Sequence, residues 1–247
     1  MRAEGHRMAR LEKMGFVASL TLCLPTVAFR RAARRRLATL VPPEIAAVIW
    51  RNALSIRREI KRDRPNHSTG VNLLLRYMEW DCALYRAMRE HGLLPERAGD
   101  LIAEINWDLF KGPIATAFGA TRLAASRPQT RIRFMLDAMF AFVFTAPFQR
   151  SKDPSGEGLV FDVLVCPLAA YFKQQGLPEL TRHAACSLDY RMAAQWGAGF
   201  RRRQTLAEGA PSCDFHFTLD EDRDDARRPS PEPRAHSRQS SDLAASE

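Results

Sequence analysis

The 247-residue sequence predicts an α+β protein, mostly helical, with a small antiparallel sheet made of one strand near 159–165 and a C-terminal hairpin near 200–218. Three observations predict it. Apolar side chains recur at helical spacing up to about residue 148, a short β-branched run then breaks that period, and two apolar stretches flank a turn rich in Gly and Pro. With 46% apolar and 26% charged residues the chain can bury one sizeable core.

The elements follow in order. Residues 14–29, MGFVASLTLCLPTVAF, carry no charge and are flanked by basic residues on both sides. The stretch is shorter than the roughly 20 residues of a membrane span and lacks a clean cleavage site before the arginines that follow. It suits a core-packing helix, or a segment at a membrane surface facing the cytoplasm. Pro42 and Pro43 open a helix through about residue 62, and residues 64–70, RPNHSTG, form a turn cluster. Residues 72–90 place Leu74, Tyr77, Met78, Cys82 and Tyr85 at helical spacing, and Gly92 stops them. The pattern repeats over residues 96–126, with a kink or break expected at Gly112-Pro113. Residues 129–148 are apolar almost all round, which predicts a centrally buried helix.

The period then changes. Residues 159–165, LVFDVLV, follow the turn Asp153-Pro154-Ser155-Gly156 and read as a strand. Cys166-Pro167 ends it and opens a helix to Gly176. Leu177-Pro178-Glu179 opens another, which carries His183, Cys186, Asp189 and Tyr190 and finishes near Gly197. Residues 200–206 and 212–219 read as the two strands of a hairpin. Residues 220–247 have almost no apolar content and are expected to be disordered. The organisation expected is thus a basic N-terminal extension over 1–70, an α+β domain over 71–219 and a tail over 220–247.

The net charge of +9 is unevenly spread: residues 1–70 hold 15 Lys and Arg against 5 Asp and Glu, whereas the remainder holds 22 against 23. A nucleic-acid domain carries its basic groove through the fold, interleaved with aromatics, so no nucleic-acid partner is expected. The excess at residues 1–40 fits at most a peripheral association with a membrane. Five widely spaced cysteines, an odd number in a chain this long, fit a reducing cytoplasm rather than disulfide staples. The oligomeric state is not legible.

No Gly-rich phosphate loop, dinucleotide fingerprint, serine-hydrolase elbow or His-Glu-x-x-His is present, so no cofactor is expected. Three groups between residues 159 and 217 can carry chemistry. His183-x-x-Cys186 with Cys213-x-x-His216 has the residue types of a zinc site, but positions three apart on a strand face opposite ways, so no metal is expected. Cys166, Cys186 and Cys213 are candidate thiol nucleophiles with His183, Asp189 or Asp214 as base, or else inert core thiols. Arg201-Arg202-Arg203 with Gln204 and Thr205 can bind an anion, strand alternation putting Arg201, Arg203 and Thr205 on one face, or else form a solvated edge.

The blocks FDVLVCPLAAYFKQQGLPEL, CSLDYRMA and RRRQTLAEGAPSCDFHF, in that order, resemble the L-2-amino-thiazoline-4-carboxylic acid hydrolase family. Its pattern runs from a strand into Cys and a helix with Tyr, then Gly-hydrophobic-Pro-Glu-Leu, Cys-x-x-Asp, and Arg-Thr-x-Thr ahead of Gly-x-x-x-Cys-Asp-Phe. The matching positions include Cys166, Tyr171, Gly176, Pro178, Glu179, Cys186, Asp189, Gln204, Thr205, Gly209, Cys213, Asp214 and Phe215. Arg203 stands where the pattern has Thr, and Ser212 where it often has His. The resemblance implies hydrolysis of a small cyclic substrate: water or an enzyme thiolate adds to C2 of an aminothiazoline carboxylate, and the ring sulfur leaves to give N-carbamoyl-cysteine. The roles assigned here are Cys213 as nucleophile, with Cys186 the second choice, Asp189 as base, and Arg203 with Thr205 for the carboxylate, Gln204 and Tyr171 completing the substrate site. The alternative is a non-catalytic small-molecule binding or accessory module in which the thiols only pack.

Overall fold

A computed structural model describes residues 25–60, 65–153 and 159–219. Most of the uncharged N-terminal stretch (14–24), Pro154-Ser155-Gly156 and the tail 220–247 lie outside the described residues. Seven α-helices are described: α1 (Pro25–Leu37), α2 (Pro43–Ile60), α3 (Thr69–Glu90), α4 (Pro95–Ala120), α5 (Pro128–Phe142), α6 (Pro167–Gln174) and α7 (Ser187–Gln195). Four strands, β1 (Gln149–Arg150), β2 (Val160–Val165), β3 (Ala198–Arg201) and β4 (Cys213–Leu219), form one antiparallel sheet in the order β1-β2-β4-β3. The fold is α+β and mostly helical, with its sheet at the C-terminal end.

Two hydrophobic clusters build it. The first is helical, and the N-terminal helices are part of it: Trp80 of α3, fully buried, stacks between Phe29 of α1 at 5.6 Å and Trp50 of α2 at 5.1 Å. Packing therefore does not divide at residue 70. Gly70 seats the start of α3 against the end of α5, since a Cβ there would lie 2.6 Å from the carbonyl oxygens of Phe142 and Val143. The second cluster lies between α5, α7 and the sheet, with Phe161, Trp196, Cys213 and Phe217 buried in it. In-register pairs Phe161↔Phe215 and Phe200↔Phe217 put aromatic rings on the face of the sheet that carries Cys213.

Several sequence expectations need correction. Helix α4 runs unbroken through Pro113, because tertiary burial of Ile102, Ile105 and Phe118 on either side outweighs one lost hydrogen bond. Helix α5 ends at Phe142, not residue 148, and is not centrally buried: Ile132, Met135 and Leu136 face the core, while Phe142 is 39% exposed. The C-terminal strands pair antiparallel as a hairpin, but the connection is longer than expected. β3 ends at Arg201, residues 202–212 form a loop with a short helical turn at Leu206–Glu208, and β4 takes the sheet interior between β2 and β3. Strand β1, two residues long, has no periodicity to betray it.

A thiol cluster at the sheet edge as candidate active site

The site is assembled from the helical turn before α7, from α7 itself and from the β3–β4 loop. Residues Arg182–Cys186 wind as a π-helix, one residue wider per turn than the α-helix expected there. The looser turn leaves carbonyls that side chains satisfy: Ser187 Oγ donates to His183 O at 2.6 Å, Asn106 Nδ2 to Ala184 O at 2.9 Å, and Arg202 Nη2 to Cys186 O at 3.2 Å. Asn106 Nδ2 also donates to Asp81 Oδ2 at 2.9 Å, deep between α3 and α4. From Cys186 onward the helix is α, so Cys186 and Asp189, three apart, stay on neighbouring parts of one face.

Thr205 joins the two candidate thiols. Its buried hydroxyl lies 3.4 Å from Cys213 Sγ and 3.9 Å from Cys186 Sγ, and accepts from Ala207 N–H at 3.2 Å. The hydroxyl can donate to one sulfur or accept from either thiol. Cys213 Sγ further accepts the N–H of Leu206 at 3.2 Å. Cys213 is thus held between a backbone N–H and a hydroxyl. It is buried, at 6% exposure, while Cys186 and Cys166 are half-buried. Burial pushes the Cys186 thiol up to about 12, aided by the charge of Asp189, and the Cys166 thiol up to about 11.

Arg202 enters the sequence reading only as part of an arginine run, and its role as the partner of Asp189 was missed. Its Nη1 donates to Asp189 Oδ2 at 2.6 Å, and its guanidinium carbon lies 5.4 to 5.6 Å from the ring centres of Tyr190, Phe200 and Phe215. Burial pushes the Asp189 carboxyl up to about 6, with Arg202 pulling the other way. Because β3 ends at Arg201, the strand alternation expected through Thr205 stops there, and Arg202 turns inward. The signal was available in the Arg-Thr-x-Thr pattern, whose arginine falls on Arg202.

The other expected residues are placed differently. Arg203 and Gln204 are exposed; their backbone N–H groups both donate to Asp214 Oδ1, at 2.9 and 2.8 Å, and Gln204 Nε2 donates to Ser212 Oγ at 3.0 Å. Burial pushes the Asp214 carboxyl up, but these backbone donors, helped by its own N–H and by His216, together outweigh it and hold the carboxyl below its usual range. Tyr171, 1% exposed, packs in the helical cluster beside Phe172. His183 rests on Gly99, its Nδ1 3.4 Å from Asp100 Oδ1, and His216 lies exposed on the other face of β4 from Cys213. Among the described residues no three His, Cys, Asp or Glu side chains are grouped to hold a metal ion. A separate groove of about 530 Å³, lined by Tyr85, Arg86, Arg89, Leu177 and Glu179 among others, shares no residue with the cluster.

A model of the L-2-amino-thiazoline-4-carboxylic acid hydrolase family matches residues 76–217, which span α3 through β4 and every residue of the cluster. The chain belongs to this family. No curated protein and no solved structure matches it. Helices α1 and α2, which complete the helical core, precede the matched region. No helix among the described residues is long and apolar enough to cross a membrane.

Proposed function

We propose that this chain hydrolyses a small cyclic aminothiazoline carboxylate, or a close relative, at the cluster of Cys186, Asp189, Thr205 and Cys213. The observation that carries the reading is the seat of Cys213 Sγ, which accepts the N–H of Leu206 and touches the Thr205 hydroxyl that also reaches Cys186, within a chain of this family. In the first step Cys213 sulfur bonds to C2 of the substrate and its proton leaves with the ring sulfur as the C2–S bond breaks. Water then adds to the same carbon, the S–C bond to Cys213 breaks, and the ureido product departs as N-carbamoyl-cysteine. Asp189 is the group that takes a proton from that water. A carboxyl near 6 can accept and return a proton at neutral pH, and Oδ2 is fixed by Arg202, which orients Oδ1. The exposed Arg203 guanidinium, with no partner among the described residues, is available to the substrate carboxylate.

A second reading has one observation in its favour. Cys213 is nearly sealed, and burial keeps Cys166 and Cys186 protonated, as in a binding module whose thiols only pack. Single-turnover ring opening of an aminothiazoline carboxylate separates the two. Under the hydrolase reading Cys213→Ser and Asp189→Asn each lose at least about a hundredfold in rate with circular dichroism unchanged. Loss confined to Cys186→Ser moves the nucleophile to Cys186. Activity unaffected by all three variants, or no turnover by the parent, leaves the module.

A further inference from the structure

Helix α1 divides cleanly into two faces. At 100° per residue, Phe29, Ala32, Ala33, Arg36 and Leu37 fall on one side, and the four apolar ones are buried in the helical core. Arg36 is held there too, its Nε 2.7 Å from Asp108 Oδ2 and its Nη2 3.1 Å from Glu104 Oε2 of α4. The opposite side carries Arg30, Arg31, Arg34 and Arg35, all exposed and none with an acidic partner among the described residues. Val27 lies in the middle of that side and is 63% exposed. The helix is therefore bolted to the protein by its apolar face and offers outward four guanidinium groups around one aliphatic side chain.

We propose that this outer face of α1 docks the protein on an anionic phospholipid bilayer. Four arginines on adjacent turns fit phosphate and carboxylate head groups, each fork pairing with two oxygens. One feature selects a bilayer over nucleic acid: the patch has an exposed Val27 and no exposed aromatic ring on which a base could stack. The apolar face of α1 itself is not available for insertion, because Phe29, Ala33 and Leu37 are fully buried in the protein. Attachment thus runs through the lipid head groups.

The test is cosedimentation of the full chain with vesicles of phosphatidylcholine alone and of phosphatidylcholine with phosphatidylserine. The parent is expected to pellet only with the anionic vesicles, and to be released when salt is raised from about 0.1 M to about 1 M, as the screening length falls to roughly 3 Å. Each arginine near such a surface is worth about fivefold in partitioning, so replacing Arg30, Arg31, Arg34 and Arg35 together with Gln is expected to weaken binding at least about a hundredfold. A second variant, Val27→Trp, keeps the charges and is expected to blue-shift its emission with anionic vesicles only. The proposal is overturned if the parent stays in solution with anionic vesicles, if the quadruple variant binds as the parent does, or if duplex DNA outcompetes the vesicles. None of these readouts involves ring opening, so the docking face and the hydrolase reading stand or fall separately.

Discussion

Replacing Arg202 with Met tests the candidate site at its least exposed charge. The side chains of Arg202 and Asp189 are 6% and 17% exposed, so the substitution strands a carboxylate where water hardly reaches it. Methionine keeps the apolar stem against Tyr190, Phe200 and Phe215, which limits the loss to the charge pair. Breaking a buried pair from one side costs about 3–5 kcal/mol, or about 10 °C in melting temperature for a domain of this size. The dependence on pH is the sharper signature. Burial already raises the Asp189 carboxyl to about 6 with Arg202 present, and without Arg202 it must rise further. A carboxyl whose folded value lies above its unfolded one binds more protons in the folded state, so its contribution to stability falls as pH climbs from about 4 toward the folded value. The variant should therefore be close to the parent at about pH 5, where Asp189 is protonated, and fall behind it by at most about 2.7 kcal/mol at about pH 8, because protonation of the stranded carboxyl caps the loss at about 1.4 kcal/mol for each pH unit above about 6. Urea unfolding of both proteins at the two pH values measures this. A difference below about 1 kcal/mol at pH 8, or the same difference at both values, would refute the argument.

Three further outcomes are expected. Gly99→Ala should lose about 1–3 kcal/mol, because a Cβ there would lie 2.6 Å from His183 Cγ and the ring is wedged against α4; His183→Ala in the same background should recover most of it in urea melts. Asp81→Asn should stabilise the protein at neutral pH. Burial pushes the Asp81 carboxyl well above its usual range, so the parent loses stability as pH rises from about 4 while the variant does not; parallel melting curves across pH would contradict this. Truncation after Leu219, the last residue of β4, should leave the melting temperature within a few degrees, since residues 220–247 cannot bury enough apolar area to offset roughly 1–2 kcal/mol per ordered residue. A larger drop would show that the tail packs on the domain.

Elements with a clear local signature were legible, because that signal survives whatever the partner is; α3, α6 and the strand at Val160–Val165 are examples. What failed was anything settled by a partner distant in sequence. Nothing local distinguishes a Pro113 that breaks a helix from one carried through by packing on both sides. The same holds for Arg202: its inward turn depends on where pairing with β4 ends, which the residues of β3 do not encode. Alternation carried two residues too far selects Arg203 in place of Arg202. The convergence of Cys186, Asp189 and Cys213 was approachable, since an i, i+3 pair on a helix and the first residue of a strand are geometric statements the sequence supports. Thr205 as the link between the thiols was not, because it depends on the loop that replaces the expected hairpin turn.

The cluster sits where the two hydrophobic cores meet: Cys166, at the start of α6, packs against both. Apolar contact alone leaves such a seam free to slide, since burial has no preferred direction. Directional bonds hold the elements around it in place instead. Asn106 of α4 holds Ala184 O, Glu104 of α4 takes Arg36 of α1 on one oxygen and Arg191 of α7 on the other, and Arg202 of the β3–β4 loop holds both Asp189 and the carbonyl of Cys186. These donors bear on the wide turn at Arg182–Cys186 in particular. A π-turn holds one residue more than the α-turn it replaces, and relaxing it to α would rotate Cys186 by about 100° away from Thr205. Leaving its carbonyls without donors costs about 1–3 kcal/mol each, so the side chains that cap them also fix the position of the thiol. Fold stability and site geometry are in this way set by the same few polar residues, two of which, Asn106 and Arg202, touch the turn from opposite sides of the seam.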